Sequence, residues 1–302
     1  ADKTRTVEGV YPFPQVNVQQ SCDGAGNVIA NAISMTGYMH SITSTTNYVI
    51  LPLTSSPQSI CPGPSSPVVV NGTIGPGMNY TYSPVNPGVP LRFLLFNKKT
   101  KTFLKMIHFA TTLFVTHQWN AYEKSDGTIV ADMIVYTYNV YQILDPHDQL
   151  NPNAKDWGAM AWRFTIDPTK STVTYSNLLP ANNTVPFLEF SNFDHRREGS
   201  YYRYGYALKN TYKAGSSIVK LDMDNPDKNP ILEWKAGDNI ALTEPWFVAR
   251  PNSNVEDDGV LLVKGTDIGT NSGAVFAIDA QTFKPLSRVN TPITFPFGFH
   301  NR

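Results

Sequence analysis

Thr128-Ile129-Val130-Ala131-Asp132-Met133-Ile134-Val135-Tyr136-Thr137-Tyr138-Asn139-Val140-Tyr141-Gln142-Ile143-Leu144 decides the fold class. It is dense in Val, Ile, Tyr and Thr, the residues that suit a pleated, half-buried surface. Asp126-Gly127 precedes it as a turn signal. The same composition recurs in Asn27–Met35, Asn47–Leu53, Leu91–Asn97, Met160–Ile166, Thr172–Ser176, Tyr201–Leu208, Ile218–Met223, Val260–Lys264, Ala274–Ile278 and Pro292–Phe299. Turn formers separate these runs: Asp23-Gly24, Lys98-Lys99-Thr100, Asp167-Pro168-Thr169, Asp258-Gly259 and Asn271-Ser272-Gly273. Many short strands joined as local hairpins predict an all-β sandwich, barrel or propeller. Amphipathic helices are nearly absent; in Phe103–Val115 a buried helical turn and a strand cannot be told apart.

Composition narrows the class further. The 302 residues carry 24 basic and 24 acidic side chains, a net charge of zero. That balance argues against a nucleic-acid binder, which normally has a basic excess. With 16 Phe and 15 Tyr, the chain is too rich in aromatics to be disordered. No run of apolar residues is long enough for a membrane-spanning helix. The start at Ala1-Asp2-Lys3 has no Met and no apolar signal core, as in a processed product or a cloned fragment.

Nine prolines fall between Pro52 and Pro90, among many Ser and Gly. With strand material on both sides, this reads as a long surface loop or insertion within one domain spanning 1–302. Cys22 and Cys61 are either bridged or two buried thiols, with equal weight on each. Sequons at Asn71, Asn79 and Asn182 lean toward secretion or other processing, and the compartment stays open.

Of the six histidines, none forms a close pair such as H-x-x-H, and taken singly each reads as structural. Context separates three. His117 lies in Thr116-His117-Gln118-Trp119-Asn120-Ala121-Tyr122-Glu123. His40 lies in Tyr38-Met39-His40-Ser41-Ile42-Thr43, and His300 ends Pro296-Phe297-Gly298-Phe299-His300. His108 follows Met106-Ile107, His147 follows Asp145-Pro146 as a turn residue, and His195 in Asp194-His195-Arg196-Arg197 reads as exposed.

These segments resemble the carotenoid cleavage oxygenase family, particularly its animal members. So do Val185-Pro186-Phe187-Leu188-Glu189-Phe190, Tyr201-Tyr202-Arg203-Tyr204-Gly205-Tyr206-Ala207-Leu208 and Thr243-Glu244-Pro245-Trp246-Phe247-Val248-Ala249-Arg250-Pro251. Glu256-Asp257-Asp258-Gly259-Val260-Leu261 and Ile278-Asp279-Ala280-Gln281-Thr282-Phe283 fit too, all in family order from about residue 36 onward.

The resemblance implies a seven-bladed β-propeller with Fe(II) on its axis, held by four histidines from separate inner strands. By motif, His40, His117 and His300 are three of those ligands. Glu189 and Glu244 fall where the family's carboxylates accept the other ring N–H of ligating histidines, fixing tautomer and basicity. An aromatic tunnel for a polyene is implied, with Phe109, Trp119, Tyr122, Trp246, Phe295 and Phe299 as candidate walls. The family's first ligand histidine has no counterpart here, since no histidine precedes His40. The chain resembles the C-terminal three-fifths of a member. An unclosed propeller exposes strand edges. The expectation is therefore part of a seven-bladed β-propeller completed by a second polypeptide.

Two functions follow from the resemblance. One is Fe(II)- and dioxygen-dependent oxidative cleavage of a carotenoid or apocarotenoid double bond. The other is non-catalytic binding of an intact carotenoid, as a pigment or storage protein with a degraded or empty metal site. Contact with membrane is at most peripheral, through Phe103–Val115 or the 52–90 stretch, the former reading better as core.

Overall fold

Strand-forming runs that lie close in sequence pair with one another, and the result is almost wholly antiparallel sheet. The computed structural model describes residues 9, 11, 39–55, 58–70, 73–82, 89–138, 158–180, 185–186, 188–209, 214–295 and 300, giving only the strand course for 58–70, 73–82 and 185–186. Four sheets follow one another along the chain. The first holds β1 (Thr43–Ser44) and β2 (Tyr48–Leu53). A hairpin of β3 (Gln58–Val70) and β4 (Thr73–Tyr82) follows. Then come β5 (Arg92–Asn97), β6 (Thr102–Phe103) and β7 (Ile107–His108). β2 pairs with β5, so the β3–β4 hairpin is inserted between two paired strands. The ambiguous Phe103–Val115 segment resolves into β6, β7 and the start of β8, with Phe109 and Leu113 buried.

The second sheet comprises β8 (Phe114–Glu123), β9 (Ile129–Tyr136), β10 (Gly158–Asp167), β11 (Thr172–Asn177) and β12 (Val185–Pro186). The third runs β13 (Glu189–Phe193), β14 (Tyr204–Lys209), β15 (Ser217–Asp222) and β16 (Leu232–Lys235). The fourth contains β17 (Ile240–Leu242), β18 (Trp246–Ala249), β19 (Gly259–Asp267), β20 (Ser272–Asp279) and β21 (Pro285–Thr291). The predicted Asn27–Met35 strand lies outside the described residues. Residues 292–295 are not strand; the outermost strand is β21, which sequence reading missed because it is exposed and mixed in polarity. Among the described residues, no helix is long and apolar enough to cross a membrane.

Adjacent sheets contact each other through β1, β8, β13 and β18, so these four strands stand side by side. Burial follows from this order. β9 and β15 are buried at every residue, because their sheets have neighbours on both faces. β19 and β20 alternate, since among the described residues one face of the fourth sheet is covered and the other is not.

Each junction also carries a polar clamp. Glu123 accepts hydrogen bonds from Thr45 Oγ1 (2.5 Å) and from the Asn47 backbone and side chain, tying β8 to the β1–β2 turn. Asp132, wholly buried, takes two 2.8 Å bonds from Arg163 and a 2.7 Å bond from the Tyr202 hydroxyl, joining the second and third sheets. Lys220 is buried against Asp257 (2.7 Å), and Glu256 accepts from the backbone of Arg203 and Tyr204. Glu256 and Asp257 thus bolt the fourth sheet to the third.

One turn recurs. Asn97, Asp167, Asp267 and Asp279 each use Oδ1 to accept backbone N–H groups two and three residues on. The residue four positions on, Lys101, Ser171, Asn271 or Phe283, is left-handed, with φ between 52° and 57°. The Asx side chain substitutes for a missing backbone acceptor and closes the hairpin.

Candidate metal centre

The side-by-side strands bring distant residues to one point. His40 lies three residues before β1, His117 is in β8, Glu189 opens β13, and Glu244 lies two residues before β18. His300 follows β21 and returns to the same place. Short stitches set the positions: Ser41 Oγ donates to the Thr116 carbonyl (2.7 Å), Gln118 Nε2 to the Ser41 carbonyl (2.8 Å), and Ser191 Oγ to the Gln118 carbonyl (2.8 Å). β8 shifts register around Val115–Gln118, and β13 shifts between Glu189 and Asn192. In the β13 bulge Phe190 is left-handed, with φ 55°, a strained conformation for a bulky residue. Its ring lies 5.1 Å from that of His117 and 5.6 Å, edge-on, from that of His300.

His40, His117 and His300 each offer a nitrogen, and the three lie within 4.8 Å of one another. His40 Nε2 and His117 Nε2 are 3.2 Å apart. Two nitrogens each ~2.1 Å from a common ion, at angles of about 90–109°, lie ~3.0–3.4 Å apart. Burial, with the neighbouring His117 and His300, lowers the His40 pKa to about 4, against the pull of Glu189. His40 is therefore neutral at ordinary pH, with a lone pair to give.

The other two imidazoles are backed by carboxylates. His117 Nδ1 is 2.5 Å from Glu189 Oε2, and His300 Nδ1 is 3.2 Å from Glu244 Oε2. A proton held on Nδ1 leaves Nε2 as the donor atom. Burial opposes the charge on Glu189, but the nearby His117 and the hydrogen bonds from His117 and Tyr136 outweigh it and hold its pKa below the usual carboxylate value. The two arms differ: the His117 side chain is 14% exposed and that of His300 is 48% exposed. Three imidazoles, two of them with carboxylate-fixed tautomers, fit Fe(II) as a donor set.

A cavity of about 620 Å³ begins beside this centre. Ile42, Gln118, Trp119, Ser191 and Trp246 line it, each one or two residues past a site residue. His195 also lines it and is half-buried, with its ring stacked on Trp246 at 4.8 Å. The reading of His195 as exposed is thus corrected. Its Asp-His-Arg-Arg context looks solvated, and only tertiary packing supplies the tryptophan.

The candidate tunnel aromatics are dispersed. Trp119 and Trp246 face the cavity. Phe109 packs with Trp162, Phe164 and Tyr175, and Tyr122 lies against Tyr201. Phe295 is half-buried and its carbonyl accepts from Thr266 Oγ1. Phe299, His147, Cys22, Asn71 and Asn182 lie outside the described residues, as do the side chains of Cys61 and Asn79. His108 is exposed on β7. The functional neighbours that sequence reading missed are Phe190, whose strain is invisible in composition, and Tyr136, considered below.

Fold and site together define an all-β scaffold with a three-histidine centre suited to a divalent metal. The family described as retinal pigment epithelial membrane protein matches residues 10–302, and the chain belongs to it. The mitochondrial carotenoid-cleaving dioxygenase of Homo sapiens is 23% identical over 96% of this chain and 55% of its own length. The apocarotenoid-15,15'-oxygenase of Synechocystis is 30% identical over 62% of this chain and 38% of its own. Among solved structures, cobalt-substituted Synechocystis ACO superposes with a TM-score of 0.63 at 22% identity, covering 87% of this chain and 52% of that one. An ACO/RPE65 chimera gives 0.62 at 21% with the same coverage. The chain spans about half the length of the relatives that it matches over most of its own length.

Proposed function

We propose that the chain carries the metal-binding part of a carotenoid or apocarotenoid cleavage oxygenase. The observation that carries this reading is the convergence of His40, His117 and His300, with buried carboxylates behind two of them. The chemistry Fe(II) would supply here is dioxygen activation at its open coordination positions. The protein's own part is to hold protons and exclude water. Glu189 and Glu244 keep the Nδ1 protons of His117 and His300 in place. Phe190, 2% exposed, covers one side of the imidazole cluster.

In this reading residues 1–302 form one partial propeller, and further polypeptide supplies the remaining ligand and blades of a seven-bladed ring. A second chain is the form expected from the sequence. Support comes from the uncovered face of the fourth sheet. By register, Val248, Val260, Leu262, Ala277, Val275 and Val289 share that face with Lys264, Asp279 and Ser287. Val248, Leu262 and Val289 are 43%, 40% and 58% exposed, so several apolar side chains on this mixed face are open to a further sheet. Native mass spectrometry tests this: a folded 33.5 kDa monomer that stays soluble and loads metal overturns it.

The functional test joins metal analysis, an absorption spectrum and polyene turnover on native material. Iron with cleavage to aldehydes or ketones supports an oxygenase. A coloured protein holding intact carotenoid and no iron supports the binding-protein alternative and refutes catalysis.

A further inference from the structure

The carboxylate behind His117 is itself held from behind. Tyr136 ends β9, is wholly buried, and places its hydroxyl 2.6 Å from Glu189 Oε1, with the Leu188 carbonyl 3.0 Å away. Glu189 Oε2 meanwhile faces His117 Nδ1 at 2.5 Å and lies 3.4 Å from the Phe190 backbone N. A carboxylate fixed at one oxygen can still swing about its terminal bond, because that torsion is broad. Fixed at both oxygens, it has one plane. That plane sets the His117 ring, and the ring sets where Nε2 points.

The strand arrangement explains why Tyr136 can reach. Phe114 pairs with Tyr136 across β8–β9, so the tyrosine leaves its sheet near the start of the ligand-bearing strand. The bulge in β13, with left-handed Phe190, turns the Glu189 side chain toward both partners. The His300 arm has a different form: Glu244 lies 3.2 Å from a half-exposed ring.

We propose that Tyr136 is a positioning residue for the metal centre, acting on His117 through Glu189. This rests on the metal-site reading above. The Tyr136→Phe substitution removes one oxygen atom and keeps the ring that fills the core.

The test is Co(II) titration of the native assembled protein, read by visible absorption, on wild type, Tyr136→Phe, Glu189→Gln and the double variant. Outer-shell partners typically contribute 10–100-fold to metal affinity. One step further out, Tyr136→Phe is expected to weaken Co(II) about 10-fold and to shift the visible band. The double variant should bind no more weakly than Glu189→Gln alone, since the hydroxyl acts only through that carboxylate. A merely structural tyrosine would give additive losses and an unaltered band. Thermal unfolding of each metal-free protein identifies any variant that fails to fold, and the cycle is then run with Tyr136→Leu in its place. Wild type that binds Co(II), with Tyr136→Phe binding as tightly, overturns the inference alone. Wild type that binds no Co(II) overturns the metal-site reading along with it.

Discussion

Replacing Glu189 and Glu244 by glutamine, one at a time, separates the two arms of the centre. Glutamine keeps the volume and one acceptor oxygen but removes the charge that favours a proton on Nδ1. For Glu189 the loss falls in a buried site, 6% exposed, where both oxygens are engaged and the contact is 2.5 Å. It should reach the upper part of the range for outer-shell partners, about 50–100-fold weaker metal binding. At 1.4 kcal/mol per tenfold, that is about 2.4–2.8 kcal/mol. Glu244 faces a ring that is 48% exposed, at 3.2 Å, where water screens the interaction. About 10-fold or less is expected there. Competitive Co(II) titration near neutral pH measures both, with unfolding of the metal-free variants as a control on folding. Equal losses, or a larger loss for Glu244→Gln, would refute the reasoning that burial and two-point fixation set the strength of each arm.

Other outcomes follow from the same geometry. Asp132→Ala leaves the half-buried Arg163 without its bidentate partner and should destabilise the protein by about 3–5 kcal/mol in urea unfolding. In the metal-free protein, His40 refuses a proton that the unfolded chain accepts between pH 6.5 and about 4. Stability should therefore fall as pH drops through that window, and His40→Gln should flatten the dependence measured by urea midpoints. Gly205→Ala drives a Cβ into Met223 Cε and to 2.9 Å from the Trp119 ring. Overpacking of about 1–3 kcal/mol, with altered tryptophan emission, is expected from unfolding and fluorescence measurements.

The strands legible in the sequence are those with long β-branched and aromatic runs, such as Ile129–Tyr136 and Gly259–Asp267, which burial demands. Leu232–Lys235 and Pro285–Thr291 were not legible: the first is only four residues long, with Leu232 and Trp234 packed on the core, and the second is exposed and mixed in polarity. The turn built on Asn97, Asp167, Asp267 and Asp279 was present as Asx residues but recurs at uneven intervals, so no repeat stood out. His40, His117 and His300 could be singled out only by their flanking motifs, because their proximity is set by packing between sheets. Tyr136 could not be found at all: it sits in an apolar strand, and only the β13 bulge turns a buried tyrosine into a support for Glu189.

His40 and His300 stand near opposite ends of the chain, and the strands between them come from all four sheets. No fragment lacking either end can assemble the triad, and an extended chain offers only scattered imidazoles of weak affinity. A cation that prefers the gathered state pulls the folding equilibrium toward it, more strongly as its concentration exceeds the dissociation constant. Occupancy would then favour the state in which the segments around residues 40 and 300 have met.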